Sequence, residues 1–433
     1  MTTATVKLWG ERIGAVTWLK DRHYAAFEYD PSFLKRGLDL SPIHLGLSDA
    51  RAGTIFSFPY LDKQTFNGLP GLLAHSLPDD FGNKVIDAWL AAQGRPRNSF
   101  NPVERLCYIG TRGMGALEYF PSMAPGKLQK PASIEVDKLL ELAKSILGDR
   151  TRLDVHLQGP DDKKADAMLD ILRVGVSAGG AVPKAVIAIN GDDHIISGQG
   201  NIPEGYEHWI IKFDGISPGA NIRLGQSRDN GRVEYAYSLM ARAAGITMAA
   251  CELLHENGRA HFITKRFDRK HNHRIHCLSL ACIGHFGWNP IGSTSYEMAF
   301  QVMRMLNLPY PEQEQQFRRM VFNVIARNVD DHVKNISYIM DGDGVWHLSP
   351  AYDVTFSINP EDGLGEMHKL SINGKQVDLT LEDFRQVAYN VEIKKADRII
   401  DEVRNAVDKW PEFAREAKVT QEVIDYVRSY HLL

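Results

Sequence analysis

Between Phe317 and Asp353 the hydrophobic period of the chain changes twice, and this change constrains the fold more than any other feature. Phe317, Met320, Val321, Val324 and Ile325 recur at i, i+3, i+4, i+7 and i+8, which buries one face of a long helix. That helix runs into the polar loop Asn328-Val329-Asp330-Asp331-His332-Val333-Lys334-Asn335. Ile336 to Met340 and Val345 to Leu348 then read as two strands around the turn Asp341-Gly342-Asp343-Gly344. The hairpin delivers Ser349-Pro350-Ala351-Tyr352-Asp353. Helix, loop and hairpin in this order hold a carboxylate, a carboxamide and a second carboxylate at set positions: Asp330 and Asn335 in an Asp-x4-Asn spacing, then Asp353.

Those groups suit phosphoryl transfer, which is mostly positioning and charge stabilisation around Mg²⁺ and a nucleotide triphosphate. Asn335 and Asp353 supply the oxygen ligands a hard cation takes, and Asp330 can orient an acceptor hydroxyl. Lys334 can neutralise phosphate charge, and His332 can brace the loop. One alternative is an acidic, well-capped helix-to-strand turn with no chemistry. Another is a metal hydrolase built on Asp330, Asp331 and His332, although three adjacent ligands converge on one ion only through a distorted backbone. No HxxEH motif accompanies them.

Two further features lie upstream. Ser177-Ala178-Gly179-Gly180-Ala181-Val182-Pro183-Lys184 sits between two predicted strands, and its small residues let backbone N–H groups approach anionic oxygens. It lacks the Walker spacing, and a plain hairpin turn is the other reading. Lys212 lies in the apolar strand Trp209 to Phe213. An ammonium on a half-buried strand needs a partner, and a triphosphate with Glu234 of the next predicted helix would supply one. A strand-end lysine reaching to solvent is the alternative.

Alternating apolar residues from Val6 to Tyr29 predict an antiparallel meander. Val85, Ile86, Trp89 and Leu90 predict a helix stopped by Gly94 and Pro96. The Pro-, Gly-, Ser- and Lys-rich stretch from Phe120 to Ser133 reads as a linker. Domains are therefore expected at 1–120, then 134–270 and 271–433, with 121–133 as the connection. Asn257-Gly258 marks a further hairpin. A net charge of −4 gives no general basic character for nucleic acid, and Arg318, Arg319, Lys369 and Lys375 read as scattered surface charges. The four cysteines form no CxxC pair, and neither a signal peptide nor an apolar run long enough for a membrane span is visible. The expectation is a cytoplasmic protein with no membrane partner.

With loop, lysine, Asp-x4-Asn and final Asp in this order, the chain resembles the HipA-family serine/threonine kinases, toxins of bacterial type II toxin–antitoxin pairs. The resemblance runs from Val6-Lys7-Leu8-Trp9-Gly10 and Phe66 to Asp80 through Ile211-Lys212-Phe213 and Lys265-Arg266-Phe267-Asp268-Arg269 to Leu348–Asp353. It implies an α+β, protein-kinase-like, two-lobed fold: a β-rich N-lobe and a helical C-lobe, with a small β-rich subdomain added at the N-terminus. It implies ATP and Mg²⁺ as cofactors, Asp330 as the catalytic residue, and Asn335 with Asp353 as metal ligands. Lys212 would contact the ATP phosphates under the backbone of Gly179, Gly180, Ala181, Val182, Pro183 and Lys184. Lys265, Arg266 and Phe267 would form the hinge that meets the adenine, with His332 and Tyr352 lining the nucleotide site. Ala351-Tyr352-Asp353 stands where eukaryotic kinases carry Asp-Phe-Gly.

The resemblance further implies a helix-turn-helix, HipB-like antitoxin dimer as partner, with operator DNA reached through that complex. It implies a translation component, such as glutamyl-tRNA synthetase, as protein substrate. A corepressor that binds the antitoxin on operator DNA with weak or no kinase activity is the competing reading. The family's autophosphorylated serine falls on Ser177. A phosphate there adds a charge of about −1.5 to −2 to a loop that must lie over ATP. Ser177→Asp should therefore lose ATP affinity in calorimetric titration while Ser177→Ala retains it; equal affinity in the two variants would remove this mechanism.

Overall fold

The computed structural model describes residues 2–96, 99–125, 128, 131–147, 183–216, 229–288, 290–360 and 365–432. The chain divides into two compact units. Unit 1 holds Met1–Ser41, Leu45–Ile216 and Ile263–Cys277; unit 2 holds Pro42–His44, Ser217–Phe262 and Leu278–Leu433. The strands expected of an N-lobe are thus shared out: those of 184–212 lie in unit 1, whereas the helix from Asn230 and the strand Cys251–Glu256 lie in unit 2. Among the described residues no helix is long and apolar enough to cross a membrane.

In unit 1 the predicted meander forms as β1 (Thr2–Leu8), β2 (Glu11–Leu19) and β3 (Tyr24–Tyr29), paired antiparallel. Trp9 and Gly10 both take positive φ, the conformation a two-residue hairpin turn requires. Two short strands, β4 (Ile55–Phe56) and β5 (Leu117–Phe120), close the edges in the order β4-β3-β2-β1-β5. Gly14 is dictated by packing, because a Cβ there would lie 2.3 Å from the Glu28 carbonyl oxygen. The predicted face of Val85, Ile86, Trp89 and Leu90 is buried on α1 (Asp80–Ala92). Helix α2 (Pro102–Ile109) begins with a capping box between Asn101 and Glu104. Helix α3 spans Val136–Leu147.

The second sheet of unit 1 runs β7-β6-β8, from β6 (Lys184–Asn190), β7 (Ile195–Ser197) and β8 (Tyr206–Lys212). His208 through Ile211 are all buried, so β8 is covered on both faces rather than alternating. Asp268, fully buried, accepts from Arg266 Nε and Nη2 (2.9 and 2.7 Å), from Arg269 Nη1 (2.7 Å) and from the Gly115 amide (2.8 Å). Arg269 also donates to the carbonyls of Gly113 and Gly115 (2.8 and 2.9 Å). The segment before β5 is thereby fixed to the segment after 265.

Unit 2 is mainly helical. The hairpin of β9 (Cys251–Glu256) and β10 (Arg259–Lys265) turns at Asn257 and Gly258, both at positive φ, as that dipeptide predicts; β10 crosses from unit 2 into unit 1. The helices are α4 (Asn230–Ala243), α5 (Tyr296–Met305), α6 (Tyr310–Ile325), α7 (Leu381–Asn390), α8 (Ala396–Asp408), α9 (Trp410–Glu416) and α10 (Gln421–Arg428). All five residues of the predicted stripe on α6 are buried. Tyr237 of α4 donates to the Ala326 carbonyl at the end of α6 (2.6 Å) and meets the fully buried Trp410 edge-on at 5.2 Å. The predicted hairpin after the loop is β11 (Ser337–Met340) with β12 (Trp346–Leu348).

Burial alone would raise the Asp268 carboxyl, but Arg266, Arg269 and the Gly115 amide outweigh it and hold it well below the usual carboxylate range. Asp268→Asn leaves two buried guanidinium groups short of a counter-charge, and should cost about 3–5 kcal/mol of stability in denaturant unfolding of the full chain. The sign follows from the depressed value. The contribution is complete above the unfolded carboxyl pKa of about 3.9 and is lost only as pH falls from there towards the folded value. Wild type and variant should therefore converge in acid and differ most near neutrality.

Candidate functional site

The end of α6 sets the direction of the motif loop. Arg327 takes φ +60, and the Asn328 amide reaches back to the Asn323 carbonyl (2.9 Å), so the helix ends in a left-handed turn without a glycine. Two amides from the helical turn Leu280–Gly284 then hold the loop backbone, Leu280 to the Ile336 carbonyl (2.7 Å) and Ala281 to that of Val333 (3.0 Å). The Asp330 amide donates to Ser357 Oγ (3.0 Å).

The two adjacent carboxylates meet opposite surroundings. Asp331 is buried; it accepts at Oδ2 from the Tyr296 hydroxyl and His368 Nδ1 (both 2.8 Å), and at Oδ1 from the Lys369 amide (2.8 Å). Asp330 is exposed at one edge yet hemmed in by protein. That crowding raises its carboxyl pKa, with His332 and Lys369 pulling it down and Asp353 and Asp331 pushing it up. Asn335 Nδ2 donates to the Asp330 carbonyl (2.9 Å), which commits the amide nitrogen to the loop and leaves Oδ1 as the group able to face a cation. The Tyr352 hydroxyl donates to the Lys334 carbonyl (2.6 Å) and meets Ser337 Oγ (2.6 Å). Asp353 follows at φ +55. Asn328, Asp331, Asn335, Tyr352 and Asp353 line one small cleft.

All six candidates of the motif region, Asp330, His332, Lys334, Asn335, Tyr352 and Asp353, therefore lie together in unit 2. A carboxamide oxygen and one carboxylate fit Mg²⁺, which takes few protein ligands and keeps water and phosphate oxygens for the rest. The charge of Asp353 felt at Asp330 is a repulsion that a cation would relieve. Both Asp331 oxygens already accept hydrogen bonds from protein donors, which disfavours Asp331 as the metal ligand that the hydrolase alternative requires.

In unit 1, Lys184 and Lys212 are direct cross-strand partners of β6 and β8, so their ammonium groups share one face at one end of the sheet. The Pro183 carbonyl accepts from the Phe213 amide (3.4 Å). Lys265 pairs with Glu207, and Phe267 is half-buried. The Arg266 side chain is buried against Asp268 and its amide donates to the His208 carbonyl (3.0 Å), so neither group is turned to a ligand. Glu234 is buried on α4 of unit 2, and Lys212 belongs to unit 1. Ser177, Gly179, Gly180, Ala181 and Val182 lie outside the described residues.

Other residues were not marked by the sequence. Trp288 is exposed beside the loop, with Lys334 Nζ 5.7 Å from its ring centroid and His332 edge-on at 6.1 Å. Tyr296 and His368 reach Asp331 from far along the chain. Of the four basic residues expected to be scattered on the surface, Lys375 is exposed as expected, whereas Arg318 and Arg319 are largely covered. Arg319 is buried and donates to the Ser349 carbonyl (2.6 Å), Arg318 to the Ala244 carbonyl (2.7 Å), and Lys375 pairs with Asp383 (2.8 Å).

Comparison with known proteins follows the same line. The model of the HipA N-terminal domain matches residues 4–120, and that of the HipA-like C-terminal domain matches residues 176–410, more than half of the chain. The chain is similar to the putative kinase Y4mE of Sinorhizobium fredii (strain NBRC 101917 / NGR234), 26% identical over 190 residues. That match takes in 42% of this chain and 39% of Y4mE, so only about two fifths of that relative's length is spanned. Among solved structures, a chain of the Shewanella oneidensis MR-1 toxin–antitoxin system HipA, HipB and its operator DNA complex is similar at TM-score 0.66 and 15% identity. The superposition covers 99% of this chain and 94% of that one, and at such identity it establishes the fold.

Asp353 supplies a test of the local backbone. Asparagine tolerates the left-handed region and a β-branched residue does not. Asp353→Asn should leave the denaturation midpoint essentially unchanged, whereas Asp353→Val should cost about 1–2 kcal/mol. Equal stability of the two would show that the left-handed turn is not maintained in solution.

Proposed function

This chain belongs to the HipA family, and from that premise we propose that it is an ATP- and Mg²⁺-dependent protein serine/threonine kinase, the toxin of a type II toxin–antitoxin pair. The observation that carries the reading is the opposite fate of Asp330 and Asp331. One carboxylate is spent inside the protein on holding the loop, and its neighbour keeps an exposed edge and feels the charge of Asp353. A loop with a purely structural role has no need to crowd a second carboxylate in this way.

Asp330 would accept the hydrogen bond of the acceptor hydroxyl and take up its proton as the new bond to the γ-phosphorus forms and the bond from that phosphorus to the β–γ bridging oxygen breaks, ADP leaving. Its raised pKa favours uptake of that proton. Asn335 Oδ1 and Asp353 would hold Mg²⁺, which when bound supplies charge neutralisation between phosphate oxygens. Lys334, whose ammonium lies 5.7 Å from the Trp288 ring centroid, would meet the transferring phosphoryl group. Lys184 and Lys212 concentrate positive charge at one sheet end, which supports their assignment to ATP phosphates together with the segment Gly179–Pro183. Of the hinge assigned to adenine, Lys265 and Phe267 remain candidates; Arg266 is better understood as the anchor of Asp268.

The family resemblance supports a translation component such as glutamyl-tRNA synthetase as substrate, and Ser177 as the site of inactivating autophosphorylation. The S. oneidensis structure contains HipA with HipB and operator DNA, which supports a helix-turn-helix antitoxin dimer and operator DNA as partners of this chain too. A corepressor without kinase activity would have the same partners, so catalysis separates the readings. Purified full-length protein incubated with Mg²⁺ and γ-labelled ATP should label itself, and Asp330→Ala and Asp353→Ala should each lower the rate by about 10²-fold or more. Equal labelling of all three proteins would reject the catalytic assignment. An unlabelled wild type that still shifts operator DNA only with its antitoxin would leave the corepressor reading in place.

A further inference from the structure

We propose that His368 is a positioning residue for the reaction: together with Tyr296 it locks the buried carboxylate of Asp331 and so fixes the Asp330 carboxylate one residue earlier. The inference rests on the phosphotransfer reading for its effect on rate. The clamp itself is a matter of geometry within unit 2.

His368 and Asp331 are 1% and 2% exposed. The His368 Nδ1 contact to Asp331 is 2.8 Å, whereas Nε2 is buried and has no hydrogen-bond partner among the described residues. The ring therefore directs its hydrogen bonding to this one carboxylate, which requires the Nδ1–H tautomer when the ring is neutral. Its backbone is tied down as well: the His368 amide donates to the Gln376 carbonyl (3.1 Å), and the His368 carbonyl accepts from Gln376 Nε2 (2.7 Å). The next amide, of Lys369, supplies the bond to Asp331 Oδ1 (2.8 Å).

On the other side Tyr296 opens α5, its amide bonded to the Ser371 carbonyl (3.0 Å). Its hydroxyl accepts from Asn323 Nδ2 (2.9 Å), and Asn323 Oδ1 accepts from Asn328 Nδ2 (3.0 Å). Asn328 Oδ1 accepts from Ser357 Oγ (3.4 Å), and Ser357 Oγ accepts from the Asp330 amide (3.0 Å). The polar chain that starts at His368 and Asp331 thus returns to Asp330 from the opposite side. The Asp330–Asp331 peptide is held at both ends. A displacement of about 1 Å at a reacting group can cost on the order of 10²-fold in rate. Loss of the Asp331 donors would leave a buried carboxylate without hydrogen-bond partners that must move to find others, and that movement displaces the Asp330-Asp331 segment.

His368→Leu removes the donor at similar volume, whereas His368→Asn keeps an amide N–H near the Nδ1 position. For His368→Leu, the maximal rate of γ-phosphate transfer to the protein itself should fall about 10- to 100-fold. Its affinity for Mg·ATP by calorimetry should stay within about twofold, and His368→Asn should recover most of the lost rate. Hydrogen exchange without nucleotide, read by mass spectrometry, should show loss of protection in 328–336 for His368→Leu and its return for His368→Asn, with α8 unchanged. A wild-type rate in His368→Leu overturns the positioning role, as does a parallel fall in ATP affinity or no recovery in His368→Asn. Unaltered exchange of 328–336 overturns the clamp. A wild type that transfers no phosphate yet shows the exchange pattern rejects the kinase reading and, with it, the effect on rate, while upholding the clamp.

Discussion

A buried carboxylate is stable only if its oxygens are met by donors, and the Asp331 carboxylate is the group on which the arrangement of unit 2 turns. Its three donors come from the start of a helix, from a buried imidazole and from a backbone amide. Each tolerates little movement, because a lost donor would leave a charge in the interior. The result is a loop whose path is set by electrostatic need rather than by apolar packing. The apolar contribution comes from behind, where the buried stripe of α6, Tyr237 and Trp410 settle where the helix ends.

Much of this could be read in the sequence, and the reasons for success and failure are physical. The stripe on α6, the meander from Val6 and the Asn257-Gly258 turn are local signals, carried by residues whose spacing alone dictates their environment. The grouping of Asp330, Asn335 and Asp353 was legible because one helix, one loop and one hairpin connect them without interruption. The end of α6 was not: a left-handed arginine stops it, where a glycine would have announced the turn. Tyr296 and His368 lie 35 and 37 positions from Asp331, and no periodic pattern spans such distances.

Charge was the least legible property. The resemblance assigns Arg266 to a hinge facing a ligand, yet Asp268 two positions on draws its side chain inside. Arg319 sits on the polar side of the α6 pattern and is nonetheless buried, because the Ser349 carbonyl before the turn to Asp353 offers it an acceptor. A guanidinium with a long stem can cross from a polar face to an interior acceptor. Spacing rules cannot register that. The assignment of such residues to surface or site is therefore decided by their partners, which are tertiary.

The left-handed corner at Asp353 bears on how this protein can change by mutation. The side chains such a corner accepts with least strain are glycine and asparagine, along with aspartate itself. Both of the replacements delete the charge. If Asp353 holds the cation as proposed, drift at this one position favours descendants that keep their shape while losing the metal site. In a lineage of such chains, folded and expressed copies would be a poor guide to active ones, and the residue at this corner would be the first place to look.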